Sequence, residues 1–246
     1  MEQGTAVIGR RFSALVAVML LVAAGLYGAF LHDPGVKAQG REPVDLALLL
    51  SIDCSYSVDT REFRLQTNGT AHALRKPEIL AAIQAGPLKR IAVSVVQWSD
   101  DKHQKITVPW TIISNAADIE KLAGQIQNQP RYLAEGGTSI TGLMRYAAGV
   151  LATAPVVAER QVLDISSDGR NNKGGRPHVV RDQLNQFGIT INGLTILNEF
   201  PTLNHYFEKY IIGGYGSFVI VANDYEDFEK AIYRKLLREI IGPRLT

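Results

Sequence analysis

Residues 44–57, VDLALLLSIDCSYS, organise the rest of this chain. From Val44 to Leu50 the run is apolar and leucine-rich, broken only by Asp45. A short run of that kind reads as a strand covered on both faces, as in a parallel sheet packed between helices. It ends in Asp53, Ser55 and Ser57, at every second position. An extended chain there would put those three side chains on one side and turn Cys54 and Tyr56 away. A carboxylate and two hydroxyls at the end of a buried strand make the beginning of an oxygen-only cation site.

The remainder alternates helical and extended patterns. Residues 58–85 read as helical, with Asp59 and Glu62 at capping-box spacing and Pro77 opening a second short helix. Ile91–Trp98 reads as a strand, and residues 106–113 as an edge strand, because Pro109 cannot donate to a ladder. Helices are expected over 115–127, 139–153, 178–187, 203–212 and 225–240. Strands are expected over 161–165, 189–197 and 217–221. This order predicts an α/β fold: an open, mainly parallel, doubly wound Rossmann-like sheet with helices on both faces and one short antiparallel edge strand. In such sheets ligands lie beyond the carboxyl ends of the strands, where strand order reverses. Asp53, Ser55, Ser57 and Asp168 all follow strands, and Thr138 opens a helix on the same side.

Composition narrows the chemistry. A net charge of +2 gives no electrostatic case for nucleic acid. The single cysteine excludes an internal disulfide and a zinc site built mainly from cysteines, and no HExxH pairing exists among the five histidines. At the N-terminus Arg10 and Arg11 precede an apolar run from Phe12 to Leu31, followed by a small-residue site ending at Ala38. Residues 1–38 therefore read as an export signal cut after Ala38, or as an uncleaved membrane anchor, and 39–246 as one domain working outside the cytoplasm. The expected location is the periplasm, or the periplasmic side of the inner membrane if the anchor is kept.

DCSYS at 53–57, GGT at 136–138 and SDG at 167–169 occur in that order on that sheet pattern. In this the chain resembles the von Willebrand factor A-like domains that carry a metal-ion-dependent adhesion site (MIDAS). The family pattern, D-x-S-x-S, then a threonine, then an aspartate after a later strand, matches at Asp53, Ser55, Ser57, Thr138 and Asp168. The likeness covers residues 43–240. The segments around Val96-Gln97-Trp98 and Ile191-Asn192-Gly193 and the turn Ile212–Gly214 resemble a bacterial exported branch of uncharacterised function.

The resemblance implies a bound Mg2+, with Mn2+ as a substitute. Ser55, Ser57 and Thr138 would be hydroxyl ligands, with Asp53 and Asp168 reached directly or through water. It also implies a non-enzymatic, adhesion-type domain whose metal is completed by an acidic residue of a protein partner. The donor chemistry agrees, since hard oxygens suit magnesium and not the softer metals. Two other readings stay open: a metal-assisted hydrolase in the same crevice, and a purely structural metal. Cys54 reads as a small packed residue, Trp98 as core or rim packing, and His72 and His103 as surface residues. Arg170, Lys173 and Arg176, in the loop after Asp168, form a basic rim suited to an acidic partner.

Overall fold

The computed structural model describes residues 41–134 and 136–243. The segment read as an export signal or anchor, 1–38, lies outside the described residues. Among the described residues eight strands run in chain order: β1 (Glu42–Val44), β2 (Leu46–Asp53), β3 (Ile91–Trp98), β4 (Gln104–Ile113), β5 (Val156–Ala158), β6 (Gln161–Ser167), β7 (Ile189–Ile196) and β8 (Val219–Ala222). Seven helices are described: α1 (Thr60–Leu74), α2 (Pro77–Ala85), α3 (Ala116–Asn128), α4 (Ile140–Ala152), α5 (Pro177–Gln186), α6 (Leu203–Tyr210) and α7 (Phe228–Ile241). None of the described helices is long and apolar enough to cross a membrane.

β2 lies at the centre of a six-stranded sheet of order β4-β3-β2-β6-β7-β8. Only the β3–β4 pair is antiparallel. Every residue of β2 and β3 is buried, which explains why both are mostly apolar. Alternate residues of β2 serve opposite faces. Leu46, Leu48, Leu50 and Ile52 pack with α1, α2, α3 and α7, while Leu49 packs with α4, α5 and α6. Pro109 sits exposed on edge strand β4, beside a register shift against β3 between Val93 and Val95.

Local chemistry sets the element ends. Asp59 and Glu62 form the capping box of α1, each accepting from the other's backbone N–H. Pro77 occupies the first turn of α2. Gly214 has φ +91°, and a Cβ there would lie 2.8 Å from Thr190 Cα, so this turn accepts glycine alone. A parallel two-stranded ladder of β1 and β5 was not expected from the sequence. Its three-residue strands are too short to carry a pattern. Asp45 separates β1 from β2, its carboxylate accepting from the N–H groups of Leu88 and Arg90.

Strand order reverses between β2 and β6: the chain builds outward from β2 through β3 and β4, then returns to β2's other side. Asp53 ends β2, and Ser167 ends β6 with Asp168 directly after it. The two carboxylates therefore stand at the place where open α/β sheets bind ligands.

Candidate metal centre

The extended-chain reading of residues 53–57 needs correction. β2 ends at Asp53 and the next four residues turn, with Val58 N–H donating to the Ser55 carbonyl at 3.1 Å. The turn, not strand alternation, brings the hydroxyls together. Ser55 Oγ lies 3.3 Å from Ser57 Oγ, and Ser57 Oγ donates to Asp168 Oδ1 at 2.9 Å. Cys54 points into the core and Tyr56 is 77% exposed, so the two do not share a face. Serine and aspartate favour such local backbone bonding over a continued strand: Asp53 Oδ1 accepts from the Ser55 N–H at 2.7 Å.

Thr138 arrives from another direction. It lies just before the N-cap of α4, Ser139, whose N–H donates to the Ser99 carbonyl beyond β3. Its hydroxyl faces Gly169, where an added Cβ would come within 3.3 Å of Thr138 Oγ1. Asp53, Ser55, Thr138 and Asp168 are buried, and Ser57 is half-buried. The Ser55 and Ser57 hydroxyls thus meet the Asp168 carboxylate, and Thr138 lies against the residue that follows it.

Four further residues support this cluster and were not singled out from the sequence. Ser167 Oγ donates to Asp53 Oδ2 at 2.6 Å. The Tyr225 hydroxyl donates to Asp168 Oδ2 at 3.0 Å. Asn172 clamps Thr138 by backbone and side chain, accepting its N–H at 3.0 Å and donating to its carbonyl at 2.9 Å. Arg131 pins the turn, donating to the carbonyls of Val58, Cys54 and Ser55. Only Ser167, adjacent to Asp168 in SDG, carried a local signal.

Electrostatics mark the cluster as lacking positive charge. Burial, and then the charge of Asp168, push Asp53 up to about 7. Burial also raises Asp168, against the hydrogen bonds from Ser57 and Tyr225. Among the described residues neither carboxylate has a basic ion-pair partner: the Arg131 guanidinium is directed at carbonyls, and Lys173 pairs with Asp100 at 3.7 Å. Two acids held together out of water without a cation is costly. The all-oxygen donor set, two carboxylates with three hydroxyls, fits a hard divalent ion.

The bystanders resolve as well. Burial, and then the nearby Asp53 charge, push the Cys54 thiol up to about 12, so it packs as a neutral side chain. Trp98 is fully buried. His72 is a surface residue but has a partner, Glu229, at 2.9 Å. Arg170, Lys173 and Arg176 are all exposed. Arg170 lies over the rings of Phe200 and Tyr206 and donates to Thr202, and Lys173 packs beside Gly137.

Tyr225→Phe tests the outer support. Removing an outer partner of a ligand weakens metal affinity by about 10–100-fold, while the lost hydrogen bond costs only about 1 kcal/mol of stability. Calorimetric titration with Mg2+ checks this, and an unchanged affinity would assign Tyr225 to packing alone.

No curated protein matches the chain in sequence. Among solved structures it is similar to proximal thread matrix protein 1 of the mussel byssus, at 16% identity and a TM-score of 0.60 over 82% of this chain and 49% of that one. A form of the same mussel protein with a zinc-occupied MIDAS motif aligns at 14% identity and a TM-score of 0.58, over 82% of this chain and 49% of that one. The chain thus spans about half the length of the mussel protein. The von Willebrand factor domain of the pilus tip protein Mfa5 from Porphyromonas gingivalis aligns at 12% identity and a TM-score of 0.55, over 82% of this chain and 98% of that one. The fold is therefore von Willebrand factor A-like, and since the family model described as protein of unknown function (DUF1194) matches residues 43–244, the chain belongs to that family.

Proposed function

We propose that this is a non-enzymatic protein-binding domain of the adhesion type, exported to the periplasm or held facing it. In this reading Asp53, Ser55, Ser57, Thr138 and Asp168 hold one divalent cation, Mg2+ or in its place Mn2+. The observation that carries it is the pair of buried, mutually destabilising carboxylates with no basic partner, ringed by hydroxyls. The zinc-occupied motif of the mussel protein supports a divalent ion at this position of the fold, and leaves its identity here to experiment. When bound, the ion supplies an electrophilic centre that an acidic side chain of a protein partner can complete.

The chain's own residues do the rest. Asp53 and Asp168 balance the ion's charge, and the three hydroxyls add ligands without adding charge. Ser167 and Tyr225 each engage one carboxylate oxygen and so orient the other toward the cluster. Arg131 and Asn172 hold the turn and Thr138 in register. The pilus tip location of Mfa5 accords with an adhesive role outside the cytoplasm.

The test is capture of partners from a periplasmic extract by wild type and by Asp53→Asn, with and without a chelator. Capture that requires both the metal and Asp53 supports the reading, and capture indifferent to both contradicts it. The basic rim has its own test. Neutralising Arg170, Lys173 and Arg176 together should slow association and flatten its salt dependence, because rim charges act mainly on encounter rates. Unchanged association kinetics at low salt would remove the rim from the account.

A further inference from the structure

A second cluster of ionisable groups lies in the core, on the sheet face covered by α7. Lys235 and Glu239 project from that helix, and Asp164 from mid-β6. Their exposures are 0%, 2% and 1%. Lys235 Nζ is 2.5 Å from Asp164 Oδ2 and 2.8 Å from Glu239 Oε1. The approach to Oδ2 lacks the alignment of a hydrogen bond, and Oδ2 has no other partner. Glu239 Oε1 also accepts from Asn192 Nδ2 at 3.0 Å, which leaves Oε2 without a partner. An amine nitrogen pressed against a carboxyl group, with a second carboxyl on the same nitrogen, is the arrangement that amide formation requires.

We propose that Lys235 and Asp164 condense into an intramolecular isopeptide bond, with Glu239 as the catalytic proton carrier, tying α7 covalently to β6. Burial, and then the charge of Asp164, push Glu239 up to about 8, so at neutral pH it holds its proton. As the reaction begins, a proton passes from Nζ to Asp164, which frees the nitrogen's lone pair. The neutral Nζ then attacks Asp164 Cγ, the carbon of the carboxyl whose Oδ2 lies 2.5 Å from it. Glu239 gives its proton to a departing oxygen of Asp164 and takes one from the nitrogen, ending as it began. The Nζ–Cγ bond forms and a Cγ–O bond breaks. The oxygen leaves as water, carrying one proton from the ammonium by way of Asp164 and one from Glu239, which the nitrogen's second proton replaces; the amide keeps the third, and nothing is oxidised or reduced. A cavity of about 10 Å3, bordered by Gln66, Thr70, Asp164 and Ser166, adjoins the reacting carboxyl and is of a size to take one water. With a single cysteine the chain cannot use an internal disulfide, and this bond would serve as its covalent brace.

The experiment is mass spectrometry of the full-length protein, purified folded, then denatured and digested with trypsin. Cleavage after Arg160, Arg170, Arg234 and Arg238 isolates residues 161–170 and 235–238. The expected product is those two peptides joined, lighter than their sum by one water. Lys235→Met, which removes the nucleophile, should abolish it, and Glu239→Gln should reduce it severalfold or more. Wild-type protein that yields only the free peptides overturns the bond and leaves an ion cluster alone. A joined peptide formed at the wild-type level in Glu239→Gln overturns the role given to Glu239.

Discussion

Saturating Mg2+ is expected to raise the melting midpoint of the wild-type protein by about 5–10 °C, and Asp53→Asn to remove that response. The size follows from mass action. A ligand present at a hundred times its dissociation constant stabilises the folded state by about 2.7 kcal/mol, and in a domain of this size each kcal/mol moves the midpoint by about 2–4 °C. The asparagine would keep the shape of Asp53 and an oxygen to accept the Ser55 N–H, so the turn survives. It would lose the charge that a cation needs. A second signature separates this account from simple damage: in chelator at pH 8, Asp53→Asn melts above the wild type. The wild-type chain must there keep two carboxylates ionised and buried side by side, and the variant need keep only one. Scanning calorimetry of both proteins with Mg2+ and with chelator reads all four midpoints. An equal Mg2+ response in the two proteins would separate metal binding from Asp53.

The second large effect is on pH. Asp53 has its folded value raised from the ordinary 3.8 to about 7. Between those values the unfolded chain has released a proton that the folded, metal-free chain retains. The Asp53 contribution to metal-free stability therefore falls as pH rises from about 4 to 7 and levels off above, the reverse of a salt-bridged carboxylate, while Glu239, raised to about 8, extends the fall of the whole by about one pH unit. Metal binding must displace the retained proton, so Mg2+ affinity rises by about tenfold per pH unit for each proton displaced, up to about 7, and then flattens. Titration calorimetry in buffers of different ionisation enthalpy measures the affinity and the proton release together. An affinity that is flat from pH 5.5 to 8 would mean that the carboxylates are already ionised, or not used.

The parts of this molecule that were legible in its sequence are those governed by local rules. β2 and β3 are buried on both faces and so are mostly apolar, with buried polar residues at Ser51, Asp53, Ser94 and Gln97. Asp59, Glu62 and Pro77 mark helix starts through bonds to their own backbone neighbourhood. The D-x-S-x-S, threonine and aspartate positions were legible because each stands at an element boundary of a recognisable fold. The geometry that unites them was not. A period of two describes a strand, and nothing in DCSYS says where the strand stops. Tyr225 meets Asp168 across 57 positions, and Arg131 meets Cys54 across 77, contacts that only the folded sheet creates. Lys235 and Glu239 were not singled out for a related reason. In an amphipathic helix, charged residues are expected to face water, yet these two sit on the buried side because Asp164 interrupts the apolar run of β6 with a charge of its own.

The central claim is that oxygens from separate loops share one divalent ion. Crystals grown with Mn2+ test it most directly, through the anomalous scattering of the metal. The account predicts a single strong peak bounded by Ser55 Oγ, Ser57 Oγ, Thr138 Oγ1 and the carboxylates of Asp53 and Asp168, at about 2.0–2.5 Å from the nearest of them, and absent from Asp53→Asn. A peak elsewhere on the molecule, or none at saturating Mn2+, would contradict it.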